Sequence, residues 1–268
     1  MKVLVTGAAG FIGYHLANAL LDGGHSVVGV DSLSDYYSVA LKCARRDRLL
    51  ARNGLSFHRQ DIADHEAVLR IFAAEKPDFV VNLAAQAGVR YSLENPFAYT
   101  SANVIGFLSI LEACRAHPPK HLIFASTSSV YGATKAFPFR EAKGTEHPIT
   151  LYAATKKSNE MMAHSYAYLF GVPCTGLRFF TVYGPWGRPD MALFIFAKAI
   201  LEDRPIPLFN GGDMKRDFTY VDDIVGGITA LLPLPPVCDD GWDPVEPDPS
   251  RSGVAPYRIV NIGRGKTE

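Results

Sequence analysis

Cysteine and net charge are two things this 268-residue chain has little of. Its four cysteines, Cys43, Cys114, Cys174 and Cys238, lie far apart and form no CxxC pair. That argues against a disulfide framework and for reduced core thiols in a cytoplasmic protein. Lys+Arg and Asp+Glu both number 27, so the formal net charge is zero and no footprint for nucleic acid or an anionic membrane stands out. Met1 runs straight into an apolar, strand-like stretch, without the charged region and cleavage site of a secretory signal. No apolar run reads as long enough to cross a bilayer. His15, His58, His117 and His164 show no metal-ligand spacing, so no metal is expected.

What is present is a 48% hydrophobic composition and, in the first half, short β-rich runs alternating with amphipathic stretches. That alternation predicts an α/β fold with a doubly wound parallel sheet of Rossmann type. Predicted strands are Lys2 to Thr6, Ser26 to Val30, Leu55 to Arg59, Phe79 to Leu83, His121 to Ala125, Pro173 to Leu177 and Tyr257 to Ile262. Predicted helices are Phe11 to Leu21, His65 to Glu75, Thr100 to Ala116 and Leu151 to Phe170. Beyond Arg178 prolines and glycines break the pattern, which predicts a Rossmann domain over 1–178 and a smaller, interleaved substrate-binding region over 179–268. The stretch from Leu232 to Pro256 reads as an exposed loop.

Gly7-Ala8-Ala9-Gly10-Phe11-Ile12-Gly13 follows the first strand and opens the first helix. Gly7 allows a tight turn, Gly10 a close approach to a diphosphate and Gly13 close helix-strand packing, while the N–H groups around Phe11 and Ile12 face the phosphates. Asp31, at the end of the next strand, stands where a ribose-binding carboxylate belongs, and its charge favours NAD over a 2′-phosphorylated cofactor. A plain turn-forming role is the alternative. Asp61 and Ile62 read as adenine neighbours, with a helix N-cap the competing reading of Asp61.

Two Tyr-x-x-x-Lys spacings occur. Tyr131 to Lys135 contains a glycine and follows a strand, so it reads as a loop, whereas Tyr152 to Lys156 opens a long amphipathic helix that stacks i and i+4 on one face. A tyrosine of ordinary pKa near 10 is about 0.1% ionised at pH 7, so a base role needs nearby positive charge, which Lys156 can supply. A core tyrosine beside a solvated lysine is the plain alternative. Ser126-Thr127-Ser128-Ser129 ends another strand, where open α/β sheets bind ligands, although a Ser/Thr-rich turn explains it too.

These runs, with Arg216-Asp217-Phe218-Thr219-Tyr220-Val221-Asp222-Asp223, resemble the extended short-chain dehydrogenase/reductase family of sugar-nucleotide epimerases and dehydratases. Within it, Leu83 to Ser92 and Leu177 to Met191 resemble the 4-epimerases of UDP-glucuronate. The resemblance implies NAD, a UDP-sugar substrate, Tyr152 as base, Lys156 as its ribose-bound helper and Thr127, Ser128 and Ser129 on the sugar. It further implies Arg90 and Thr181 as substrate contacts, Arg188 near the uronate carboxylate and Arg216 near the diphosphate. Related dehydratases and decarboxylases carry carboxylates in the hydroxyl cluster, where this chain has Ser128 and Ser129, so elimination chemistry lacks its acid. The resemblance also implies a homodimer built from two exposed helices, and a further C-terminal segment beyond Glu268. Asn82 stands where the family often has histidine, with little effect expected. Another UDP-hexose 4-epimerase or a UDP-glucuronate decarboxylase is the nearest enzyme rival, and a non-catalytic NAD-binding regulator on the same fold is the rival of another class.

Overall fold

The computed structural model describes the backbone of residues 1–268 and every side chain except those of 209 and 210. Seven parallel strands form the main sheet: β1 (Lys2–Thr6), β2 (Ser26–Asp31), β3 (Leu55–Arg59), β4 (Phe79–Asn82), β5 (His121–Thr127), β6 (Cys174–Phe179) and β9 (Tyr257–Ile262). Their order is β3-β2-β1-β4-β5-β6-β9, and a pair of three-residue strands, β7 (Thr181–Tyr183) and β8 (Phe218–Tyr220), stands apart. The chain winds outward from β1 to β3 and then returns to β4, so the order reverses between β1 and β4 and opens a crevice at their carboxyl ends. Runs such as Lys2-Val3-Leu4-Val5-Thr6 suit these strands because helices cover both faces of the sheet.

Those helices are α1 (Phe11–Asp22), α2 (Val39–Leu50), α3 (His65–Glu75), the short α4 (Tyr91–Glu94) and α5 (Pro96–Tyr99), α6 (Gly106–Ala116), α7 (Leu151–Phe170), α8 (Ala192–Leu201) and α9 (Val221–Leu231). A π-helical turn, Thr100–Ile105, joins α5 to α6. One core layer packs α1 and α9 on the sheet through Leu16, Leu20, Ile224 and Ile228, and the other packs α3, α6 and α7 through Phe72, Phe107, Leu111 and Ala163. Burying such a side chain is worth about 1.5–3 kcal/mol.

The structure corrects several expectations. Helix α2 went unread; Ser38 caps it, accepting from Leu41 N at 3.3 Å. The predicted helix Thr100 to Ala116 begins with the π turn, and Pro96–Ala116 is, against expectation, 21 residues long with a mean hydropathy of 1.3, enough by length and composition to cross a membrane. Half of that stretch is buried inside the protein, as suits a core helix between a sheet and its neighbours. The 232–256 stretch is not wholly exposed, since Ser252 and Ala255 are fully buried. Ile259 N donates to Ser250 O at 2.6 Å, laying the loop along β9. After residue 178 the chain contributes α9 and β9 to the main body.

Candidate functional site

At the reversal point, β1 ends in Thr6, whose hydroxyl donates to Asn82 Oδ1 at 2.6 Å and accepts from Leu83 N and Ala84 N. Asn82 therefore ties the two strands that flank the crevice. Gly7 follows with φ +67°, and a Cβ there would meet Ala84 N at 2.9 Å. A Cβ on Gly13 would lie 2.0 Å from Gly7 O, so only glycine lets α1 approach the strand end. Gly10 is the N-cap of α1, and no side chain caps the helix and no acid occupies its first turn. The first-turn N–H groups of Phe11 and Ile12 thus form an open anion site, while both side chains pack into the core.

Asp31 accepts from Ala9 N at 3.0 Å and from Leu33 N at 2.8 Å, so the carboxylate braces the loop from behind. Its burial raises the pKa, against hydrogen bonds and the charges of Lys42 and Arg45. Asp61 is not the N-cap of α3; that residue is Asp64, which accepts from Ala67 N, whereas Asp61 accepts from Ala63 N in a turn. Ile62 is buried against α6. The glycine loop and the carboxyl ends of β2 and β3 fit the diphosphate and adenosine of a dinucleotide.

On the far side of the crevice, Thr150 caps α7 by accepting from Ala153 N at 3.1 Å, which puts Tyr152 in the first turn and Lys156 one turn on. Burial raises the Tyr152 pKa, opposed by a hydrogen bond from Thr127 and the charge of Arg188. The Arg188 guanidinium is thus a cation whose charge reaches the phenol. Lys156 is only 2% exposed, and burial pushes its pKa down to about 8 against the pull of Glu160. Thr127 also accepts from Ser129 N, and Ser128 and Ser129 are partly exposed beside it. Tyr131, of the alternative pair, is buried and donates to Asn261 Oδ1, whereas Lys135 is exposed.

Three groups that sequence reading missed support this arrangement. Glu160, fully buried, accepts from Ser126 Oγ at 2.6 Å and from Arg178 Nε and Nη2, each at 2.9 Å. It joins the hydroxyl strand, the Tyr152 helix and β6. Burial pushes Glu160 up, but Arg178 and Lys157 leave it below the usual carboxylate range. Asn103, in the π turn, accepts from Gln86 N and donates to Thr155 Oγ1, fixing the loop after β4 against α7. Asp190 grips Arg188 through Nε at 3.0 Å and Nη2 at 2.5 Å, and accepts from Tyr36 Oη at 3.1 Å. The run Tyr152 to Glu160, with a carboxylate two helical turns on, was the legible signal for the first of these.

Of the remaining candidates, Thr181 opens β7 with its N–H on Asp217 O, and the exposed Arg216, just before β8, exchanges backbone hydrogen bonds with Glu268. Arg90 is exposed at the start of α4.

Residues 3–237 match the model of the NAD dependent epimerase/dehydratase family. A probable UDP-glucuronate 4-epimerase of Rhizobium meliloti is 52% identical over 266 residues, 99% of this chain and 78% of that one. Protein CapI of Staphylococcus aureus is 54% identical over 265 residues, 98% of this chain and 78% of its own length. Among solved structures, UDP-glucuronic acid 4-epimerase from Bacillus cereus, in complex with UDP-glucuronic acid and NAD, superposes with a TM-score of 0.85 at 36% identity, covering 100% of this chain and 79% of that one.

Proposed function

The chain belongs to the NAD dependent epimerase/dehydratase family, and from that membership we propose that it inverts C4 of UDP-glucuronate to give UDP-galacturonate. The observation that carries the reading is the Tyr152 phenol in the first turn of α7, its pKa raised by burial against the lowering pull of the Thr127 hydroxyl and the Arg188 charge, with serines rather than carboxylates at 128 and 129. NAD, when bound, would supply the reversible hydride chemistry that inversion at C4 requires. Gly7, Gly10, Phe11, Ile12 and Gly13 hold its diphosphate, and Asp31, Asp61 and Ile62 its adenosine end. An unmodified ribose suits the buried Asp31, since a 2′-phosphate would meet like charge.

Tyr152 takes the C4 hydroxyl proton as C4 is oxidised and gives it back on reduction, a role worth about 10²–10⁴-fold in rate. Thr127 steadies the phenol, and Lys156 fixes the adjoining ribose. Ser128 and Ser129 meet the sugar with neutral hydroxyls, so C4 can be oxidised without expelling an oxygen from C6. Arg90 and Thr181 line the approach, and Arg216 meets the UDP diphosphate. The 4-keto uronate is a β-keto acid prone to lose carbon dioxide. Arg188 is suited to grip its carboxylate, because its guanidinium already takes the Asp190 carboxylate in a fork. On this reading Arg188→Ala releases UDP-pentose; unaltered epimerisation without UDP-pentose would remove the role.

Incubating the purified protein with UDP-glucuronate, without added NAD, and separating the products tests the function. UDP-galacturonate is expected, and UDP-xylose would reassign the chain to decarboxylation. The reading extends to a cytoplasmic homodimer. Phe97, Ile105 and Leu108 before and along α6, with Met161, Tyr168 and Leu169 on α7, expose an apolar face that a second copy would cover. A monomer by light scattering would reject that pairing.

A further inference from the structure

Arg45, on α2, is among the largest fully buried side chains and has no ion pair among the described residues. All its acceptors are neutral: Nη1 donates to Ala9 O at 3.1 Å and to Tyr37 Oη at 2.8 Å, and Nη2 to Trp186 O at 2.5 Å and Gly187 O at 3.1 Å. Its buried Nε has no partner. Its hydrogen bonds thus all go to neutral groups, while its charge is felt by the buried Asp31 carboxylate, which holds the N–H of the same Ala9.

The two loops that Arg45 joins are far apart in sequence. Ala9 lies within the glycine loop, and its N–H is held on the opposite side by Asp31, so both ends of that residue's peptide groups are pinned. Trp186 and Gly187 form the turn after β7, on the sugar side. That turn is strained, with Trp186 at φ +57°, and it is gripped again from α1, where His15 Nε2 lies 2.9 Å from Pro185 O and the Tyr14 ring lies 5.6 Å from that of Trp186. A non-glycine residue stays in that conformation only where its surroundings hold it, and Arg45 holds its carbonyl.

We propose that Arg45 is a positioning residue for cofactor retention: it straps the sugar-side turn across the glycine loop and so holds the loop's backbone in place. The inference rests on the NAD reading above. An epimerase that regenerates its cofactor in every cycle has no need to release it, and a strap of this kind keeps the loop donors aimed while closing the way out.

The test is the rate at which bound NAD exchanges with excess isotopically labelled NAD, measured on purified wild type, Arg45→Met, Arg45→Lys and Tyr37→Phe. Loss of the charged bonds should speed exchange by about 100-fold in Arg45→Met and less in Arg45→Lys, with a several-fold rise in Tyr37→Phe. Under saturating NAD, kcat should stay within a few-fold of wild type, a split that general loosening of the fold would not give. Exchange within twofold of wild type in folded Arg45→Met overturns the proposal. Should that variant not fold, unchanged exchange in Tyr37→Phe does so. A wild type that neither carries nor takes up NAD would overturn the cofactor reading and the strap together, whereas NAD held equally by all the variants overturns the strap alone.

Discussion

The two sides of the crevice are built by opposite means. On the cofactor side recognition belongs to the backbone: glycines where a Cβ cannot fit, an uncapped helix end, and buried groups such as Asp31 and Arg45 that brace the loop from behind. On the proposed sugar side, past Thr181, the strands β7 and β8 have three residues each and residues such as Arg216 and Tyr220 are exposed. Tyr152 and Lys156, the proposed reacting pair, sit between, on a regular helix that buries one face through Lys156, Asn159, Glu160 and Ala163. A dinucleotide is held by geometry that few sequences can supply, whereas a sugar is distinguished by side chains that can change without disturbing the fold.

Substitutions should reproduce that contrast. The largest effect is expected at the junction: Tyr152→Phe should lower kcat about a thousandfold while leaving bound NAD and the melting temperature unchanged. A loss below tenfold would mean that another group moves the proton. Next comes Glu160→Gln, which leaves Arg178 buried without its counter-charge and should cost about 3–5 kcal/mol in denaturant unfolding. Stability within 1 kcal/mol of wild type would show that the bracing under α7 is dispensable.

The pH dependence of stability gives a third, slightly smaller contrast. Lys156 has a folded pKa of about 8 against an ordinary 10.5, so between those values the unfolded chain binds more protons than the native one. Its burial penalty is therefore fully present below pH 8 and is relieved as pH rises. Cofactor-free wild type should gain about 3 kcal/mol on Lys156→Met between pH 8 and pH 10.5. A flat difference would place the lysine charge outside the core. The smallest effect is expected on the open side, where Arg216→Ala should raise KM for the UDP-sugar several-fold and change stability by less than about 0.5 kcal/mol. A large loss of stability there would erase the distinction between the two sides.

The same contrast governs how much could be read from the residues alone. All seven strands of the main sheet were legible to within about two residues, because parallel strands covered on both faces must be apolar runs. The glycine loop was legible because its spacing is a steric requirement, and Tyr152 was separated from Tyr131 by helix periodicity. The buried supports were not legible. Arg45 reads as one of several basic residues in Arg45-Arg46-Asp47-Arg48, and only its position opposite Ala9 and Trp186 sets it apart. Asn103 acts from a π turn that ordinary helical spacing hides, and Asp190 owes its meaning to Tyr36, 154 residues away in sequence. Charge partners formed across such distances leave no local pattern.

The place of β9 bears on how the molecule is made. It pairs with β6 through residues such as Ile259, opposite Gly176, and the proline-rich segment folds back along it, Ser250 O taking the Ile259 N–H. During synthesis six strands of the main sheet leave the ribosome long before the seventh, so for that interval β6 is a bare edge with its amides unmet. Such an edge can recruit a strand from a neighbouring nascent copy. The late strand and its covering loop thus act as a stopper, and chains halted before residue 257 should be captured by chaperones or aggregate even though the glycine loop and Tyr152 have already been made.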